Sequence, residues 1–433
     1  MHETGAVESS ARLRHFARTL PAWTMAVAMV SLVSSCAPKP SSVTTLVPPE
    51  APGGHSSDPT IALDPANHDV LIAWLAGDST DGRVWFSRST DAGAHWLTPV
   101  AVSPPGESLG MRGEEAPRLA CDAGGRVAIM WATSIDVPGR SRPPRGLRFV
   151  RSLDRGATWS APITPYADVY DTARTQRFLD LASSDDGKLV SAWIENQVLE
   201  EDGAHRAASP RAAVLVATSN DFGEHWGQAS AEWSQPCPCS RVAVAIDLTG
   251  AAFVAFRQHL DDGGCDVTLG QPRSASARAS HDGWNLDGCP RPGPGFKVAR
   301  DGTLRVAWFT GAPGRTGVWF RQGLPAYYDT TATLLPLLTA DSLPMLHVSL
   351  GDAGRSGTVI ACDGDSTGGG ALSLIRVEAS GRRIVERIVP PGFRNVRRPQ
   401  VAASNRSRRA YVAWTDGSDG DRHLRLLRWD VGR

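Results

Sequence analysis

The stretch SRSTDAGAHW at residues 87–96 returns as VRSLDRGATW at 150–159 and as ATSNDFGEHW at 217–226. The shared skeleton, Ser-x-Asp-x-Gly-x-x-Trp, is carried by Ser89, Asp91, Gly93 and Trp96, by Ser152, Asp154, Gly156 and Trp159, and by Ser219, Asp221, Gly223 and Trp226. In such an octamer the Asp accepts backbone N–H groups, the Gly admits a positive φ, and the Trp packs against a sheet. That is the chemistry of a hairpin turn, so these aspartates are expected to tie off turns rather than to catalyse. Their spacings of 63 and 67 residues are too long for one local element and regular enough for a repeat.

Working outward, an apolar run precedes each octamer and recurs where the octamer does not. The seven copies are VLIAW (70–74), VAIMW (127–131), LVSAW (189–193), AFVAF (252–256), LRVAW (304–308), TVIAC (358–362) and AYVAW (410–414). Both alternating positions of these runs are apolar, which suits a strand covered on both faces. Each sits among flanking strand-like runs and turns, four strands to a repeat. The fold class is therefore all-β, a propeller of seven four-stranded antiparallel blades spanning residues 58–433. The last repeat is one strand short, and TTLVPPE (44–50) matches ERIVPPG (386–392). A strand near 44–50 is expected to close the last blade and cover its edge.

Lys+Arg and Asp+Glu both number 45, which removes the global charge that would point to nucleic acid. Fourteen Trp with 43 Gly and 31 Pro agrees with many short strands joined by tight turns. The N-terminus differs from the rest. Arg12, Arg14, His15 and Arg18 precede an apolar run at 22–35 and then VSSCAPKP. This resembles a bacterial lipoprotein signal, which implies cleavage after residue 35, lipidation of Cys36 and a flexible tether over 36–57. The expectation is an exported monomer, anchored to a bacterial cell membrane through lipid only and facing the periplasm or the surface.

The octamer is identified as the Asp-box, or bacterial neuraminidase repeat, and the chain from residue 58 resembles the sialidase superfamily. SHDGW (280–284) reads as a degenerate fourth box. The resemblance implies six blades as the alternative count and exo-α-sialidase activity as an alternative function. Enzymes of that family use three Arg for the substrate carboxylate, a Tyr–Glu nucleophile pair and an Asp acid/base. The chain lacks the (Tyr/Phe)-Arg-Ile-Pro motif, and only Tyr166 and Tyr170 map to the right rim, too early in the chain. Catalytic residues are therefore not assigned.

Blade geometry puts the Asp-box turns on one rim and the 2–3 and 4–1 loops on the other. The second rim holds the candidate ligand-binding residues Arg118, Arg177, Glu195, Arg241, Arg257 and Arg291, with Arg397 beside them. It also collects Cys237, Cys239, Cys265 and Cys289. The segments CPC, AFRQ, CPRPGPG and LRVAWFTG resemble a subgroup of exported Asp-box propellers of unassigned activity. An oxidising compartment favours disulfides, either 237–265 with 239–289 or 237–289 with 239–265. The alternative is a metal ion on the thiolates, with His259 as a further ligand. Cys121 and Cys362 are expected to be buried and inert. The expected function is binding of a glycan or another envelope polymer on the cysteine-bearing rim, with a metal-binding or assembly scaffold of the cell envelope as the other alternative.

Overall fold

A computed structural model describes residues 41–432 except 53–54, 78–81, 108, 110–114, 137, 139–143, 166–173, 198–211, 286–290, 326–327, 329–332, 366–369, 394, 405 and 419–420. The expected signal segment 1–35, Cys36, Tyr166, Tyr170 and Cys289 lie outside the described residues.

The chain forms seven antiparallel sheets in sequence order. Blade one consists of Ser56–Leu63, Val70–Ala76, Arg83–Ser89 and Val100–Ala101; blade two of Arg118–Cys121, Val127–Ser134 and Arg145–Ser152. Ile163 bridges Phe149 at the fourth position of blade two. Blade three is Arg174–Ser183, Leu189–Gln197, Ala213–Ser219 and Ser230–Ser234; blade four is Ala243–Ile246, Ala252–His259, Cys265–Gly270 and Ser276–Arg278. Blade five is Gly295–Val298, Leu304–Thr310, Gly317–Gly323 and Thr333–Thr339; blade six is Val348–Asp352, Thr358–Cys362, Ser373–Val377 and Ile384–Ile388. Blade seven joins Arg397–Ala403, Arg409–Ser418 and Asp421–Asp430 to the N-terminal strand Ser42–Leu46.

Closure thus works as the repeat count requires, with a shifted boundary. The closing strand is Ser42–Leu46 rather than 44–50, with Ser42 opposite Asp430 and Leu46 opposite Leu426. Proline at 48 and 49 explains the shift, since it cannot extend a ladder. The matching strand of blade six also stops before Val-Pro-Pro, at Ile388. The propeller likewise begins at Ser56, two residues before the expected boundary.

Seven buried apolar clusters hold the ring, each built from two neighbouring blades. Leu71, Ala73 and Phe86 of blade one meet Leu119, Ile129 and Trp131 of blade two. The series ends where Tyr411, Ala413 and Leu426 of blade seven meet Ile72 and Trp74 of blade one. The second strands lie between two such clusters, which is why both their faces are apolar and Val70–Ala76 is buried at every position.

The octamers occupy the 3–4 turns of blades one, two and three. In the second copy the Ser152 hydroxyl donates to Asp154 at 2.8 Å and accepts the Gly156 N–H at 2.8 Å. Asp154 accepts the Thr158 N–H at 2.8 Å. Gly156 has φ +85°, and a Cβ there would lie 2.1 Å from Phe86 of blade one. The ring of Phe86 stacks edge-on against Trp159 at 5.0 Å. Blade three repeats the arrangement, with Phe149 of blade two against Gly223 and 5.2 Å from Trp226. In blade one the seat at Gly93 is filled by Leu46 of the closing strand, and the Trp96 indole donates to the Val47 carbonyl at 3.0 Å. The box therefore does more than cap a hairpin: its Gly and Trp receive a side chain of the preceding blade.

SHDGW is not a fourth copy of this device. It follows the last strand of blade four, on the opposite rim, and its Asp282 accepts the Trp308 indole of blade five at 2.7 Å.

Gly156→Ala should lower the unfolding free energy by about 2–4 kcal/mol, from the left-handed backbone and the clash with Phe86 together. Gly250→Ala, with φ +81° and nothing within 4 Å of the added Cβ, should cost only about 1–2 kcal/mol; denaturant melts of the two variants check the difference. A second outcome concerns acid. The His95 backbone N–H holds the Asp91 carboxyl down at about 2, and the Thr158 hydroxyl holds Asp154 at about 2. Both native values lie below the unfolded value of about 3.9. Their contribution is complete above about pH 4 and is lost as pH falls towards 2. Asp91→Asn with Asp154→Asn should flatten stability against pH in that window and leave it parallel to wild type above pH 5.

Candidate functional site

The first strands of all seven blades line the central channel. Towards the Asp-box rim it widens to a cavity of about 380 Å³. Towards the opposite rim it narrows to a neck of about 100 Å³ whose polar lining is Thr60, Arg118, Asp180, Arg241, Lys297, Ser349 and Gln400. Pairing with the second strands explains this set: Thr60, Arg118, Asp180 and Gln400 sit opposite Ala73, Met130, Ala192 and Ala413, the same position in four blades. Arg118 pairs with Asp180 at 3.5 Å and donates to the Leu179 carbonyl at 3.0 Å. Two of the expected ligand-binding arginines, Arg118 and Arg241, therefore share one cavity wall.

Above the neck the rim carries a layer of ion pairs. Glu115, buried before the first strand of blade two, binds Arg177 of blade three and lies 3.4 Å from Arg145. Arg174 pairs with buried Glu195 at 2.6 Å. Across the ring-closing interface, Arg398 of blade seven lies 2.7 Å from Asp58 of blade one. The Asp58 N–H donates to the Thr415 hydroxyl at 2.8 Å. Asp363 of blade six accepts the Arg398 N–H at 3.0 Å and bonds the His347 ring at 2.6 Å. Asp58, Phe178 and Arg398 have φ of 54°, 57° and 51°, at or beside register shifts in the first strands of blades one, three and seven. Bulges of this kind re-aim side chains and gather around binding and catalytic sites. Buried ion pairs add little net stability, because desolvation offsets their attraction. On this rim they hold guanidinium and carboxylate groups in fixed positions around the channel mouth.

The blade-four arc carries one of the two expected cysteine pairings. Cys237 and Cys265 form a disulfide, which selects the 237–265 connectivity over 237–289. Cys239 is also disulfide-bonded. The ligand atoms of Cys237, His259 and Cys265 lie within 4.8 Å of one another, but sulfur held in a disulfide is not the thiolate that a metal requires. Arg257 is 1% exposed and does not reach the surface. It donates to the carbonyls of Pro292 at 3.2 Å, Cys265 at 3.3 Å and Phe309, and stacks over Trp284 at 5.1 Å. Burial lowers its guanidinium to about 10, opposed by Asp282 and Asp266. Arg257 is thus a brace under the disulfide, whereas Arg291 is exposed and Arg177 part-exposed. Tyr328 and Tyr411 are buried away from this rim, and Tyr327 lies outside the described residues.

Asp58, Glu115, Arg145, Arg174, Asp180, His347, Asp363 and Arg398 are not among the site residues expected from the sequence. Two had a usable signal: Asp58-Pro59 and Arg398-Pro399 stand at the same place in their repeats.

No protein-family model matches the chain, and no curated protein matches it. Solved structures do. Polysaccharide lyase Uly1 is similar over 88% of this chain and 90% of its own, at 12% identity and a TM-score of 0.51. A protein of unknown function from Dyadobacter fermentans DSM 18053 is similar over 90% and 99%, at 13% and 0.50. Trypanosoma rangeli sialidase, as a covalent intermediate with 2,3-difluorosialic acid, is similar over 90% and 59%, at 12% and 0.50. The chain thus has the fold of sialidases and related propeller proteins, and spans about three fifths of that sialidase's length.

Mapping of unreduced peptides should yield a cross-linked pair containing Cys237 and Cys265. Burial pushes the Cys362 thiol up to about 12, so it should not react with iodoacetamide at pH 8 until denaturant is added, whereas Cys121, expected to be buried, is only part-buried and lines the channel cavity.

Proposed function

We propose that this propeller binds an acidic saccharide at the channel mouth opposite the Asp-boxes. The observation that carries the reading is the cationic neck: Arg118 and Arg241 share its wall, beneath the part-exposed guanidinium groups of Arg174 and Arg177. Planar guanidinium forks suit a sugar carboxylate, and the neighbouring Glu115, Glu195 and Asp180 hold them in place while accepting hydroxyl hydrogen bonds. Uronate and sialate units both present that carboxylate.

The protein is proposed to be exported and attached to a membrane through lipid on Cys36, with the propeller reading a glycan or envelope polymer there. Sialoside hydrolysis remains a second reading because buried carboxylates and the His347–Asp363 pair share this rim.

Titration with acidic and matched neutral oligosaccharides tests the first reading. Wild type should prefer the acidic ones, and Arg177→Ala or Arg241→Ala should weaken binding about tenfold or more. Added salt should weaken it as well. Equal binding of acidic and neutral sugars, or unchanged affinity in both variants, overturns the proposal. Turnover of a fluorogenic sialoside in the same samples decides for hydrolysis.

A further inference from the structure

A second cationic concavity lies on the rim that carries the Asp-box turns, at blades without a box, and shares Arg300, Asp352 and Arg406 with the wide end of the channel cavity. The 1–2 turns of blades five, six and seven enclose a groove of about 570 Å³ lined by Arg300, Arg305, Arg355, Arg406 and Arg408 against Asp301 and Asp352. Both acids accept hydrogen bonds, Asp352 part-buried and Asp301 exposed. Asp352 pairs with Arg305 at 2.7 Å and accepts the Gly354 N–H at 2.9 Å, while Asp301 accepts the Thr303 N–H at 3.0 Å. The other four arginines are exposed. Among the described residues their guanidinium groups have no ion pair or hydrogen bond.

On a chain with equal numbers of acidic and basic side chains, four arginines from three successive turns form a local excess of one sign. Like charges held together by separate rigid blades repel, and a bound anion relieves that repulsion. The groove is open, and charged side chains dominate its rim. Its fork-shaped donors match tetrahedral oxyanions bearing two or more charges. We propose that this groove binds a phosphate- or sulfate-type oxyanion, free or carried as the head group of a lipid. The inference does not depend on saccharide binding at the other rim.

The test uses the full chain, with pyrophosphate as the probe in a calorimetric titration. Wild type should bind it, and Arg355→Gln with Arg408→Gln should weaken binding about tenfold or more. Arg273→Gln, an exposed arginine of blade four on the same rim, should leave it unchanged. Both variants alter exposed side chains and should melt with wild type. Absence of pyrophosphate binding by wild type, or equal binding by the double variant, overturns the proposal. Sedimentation with phosphatidylcholine vesicles, with and without phosphatidylglycerol, separates the sources. Enrichment on the anionic vesicles that the double variant loses assigns a lipid head group; pyrophosphate binding without that enrichment assigns a free anion.

Discussion

The structure depends on one constraint: a small sheet with two apolar faces is stable only when both are covered. Seven such sheets satisfy it by standing in a ring, so that every face has a neighbour and no blade owns a core of its own. The requirement is circular, and failure at one interface uncovers a face on each of the two blades beside it. That is why the closing strand matters out of proportion to its length. It completes blade seven in the ladder, and Leu46 fills the seat at Gly93 that a phenylalanine fills in the next two blades.

The repeated octamer follows from the same constraint. A turn at the outer edge of a blade would be free to drift relative to the blade before it. The box prevents this by presenting a glycine surface and an indole edge to the neighbour, while its Ser and Asp hold the turn rigid from within. Its carboxylates are absorbed by turn hydrogen bonds and hold the hairpin.

Much of this was legible in the sequence because it repeats. The seven apolar runs give blade number, and the Val-Pro-Pro match gives closure, since each depends on local pattern. The site was less legible because its contacts are long-range. Glu115 meets Arg177 across 62 residues, and Asp58 meets Arg398 from the other end of the chain. Periodicity contains no term for such pairs. Arg257 shows the converse: a basic residue at the right end of the right strand, turned inward by three carbonyls that no spacing reveals. SHDGW misled for a related reason, since its Ser280 bonds Asp266 and its Asp282 reaches an indole of the next blade instead of closing a hairpin.

The clasp at blade seven has a topological corollary. The Gly432 N–H donates to the Ser41 hydroxyl at 2.7 Å, so the first and last described residues are hydrogen-bonded neighbours. Splicing them together would close the backbone into a loop without moving a blade, and any inter-blade connection could then serve as the new opening. The cyclic order of the seven blades is fixed by their packing, whereas the blade at which the polypeptide starts is not.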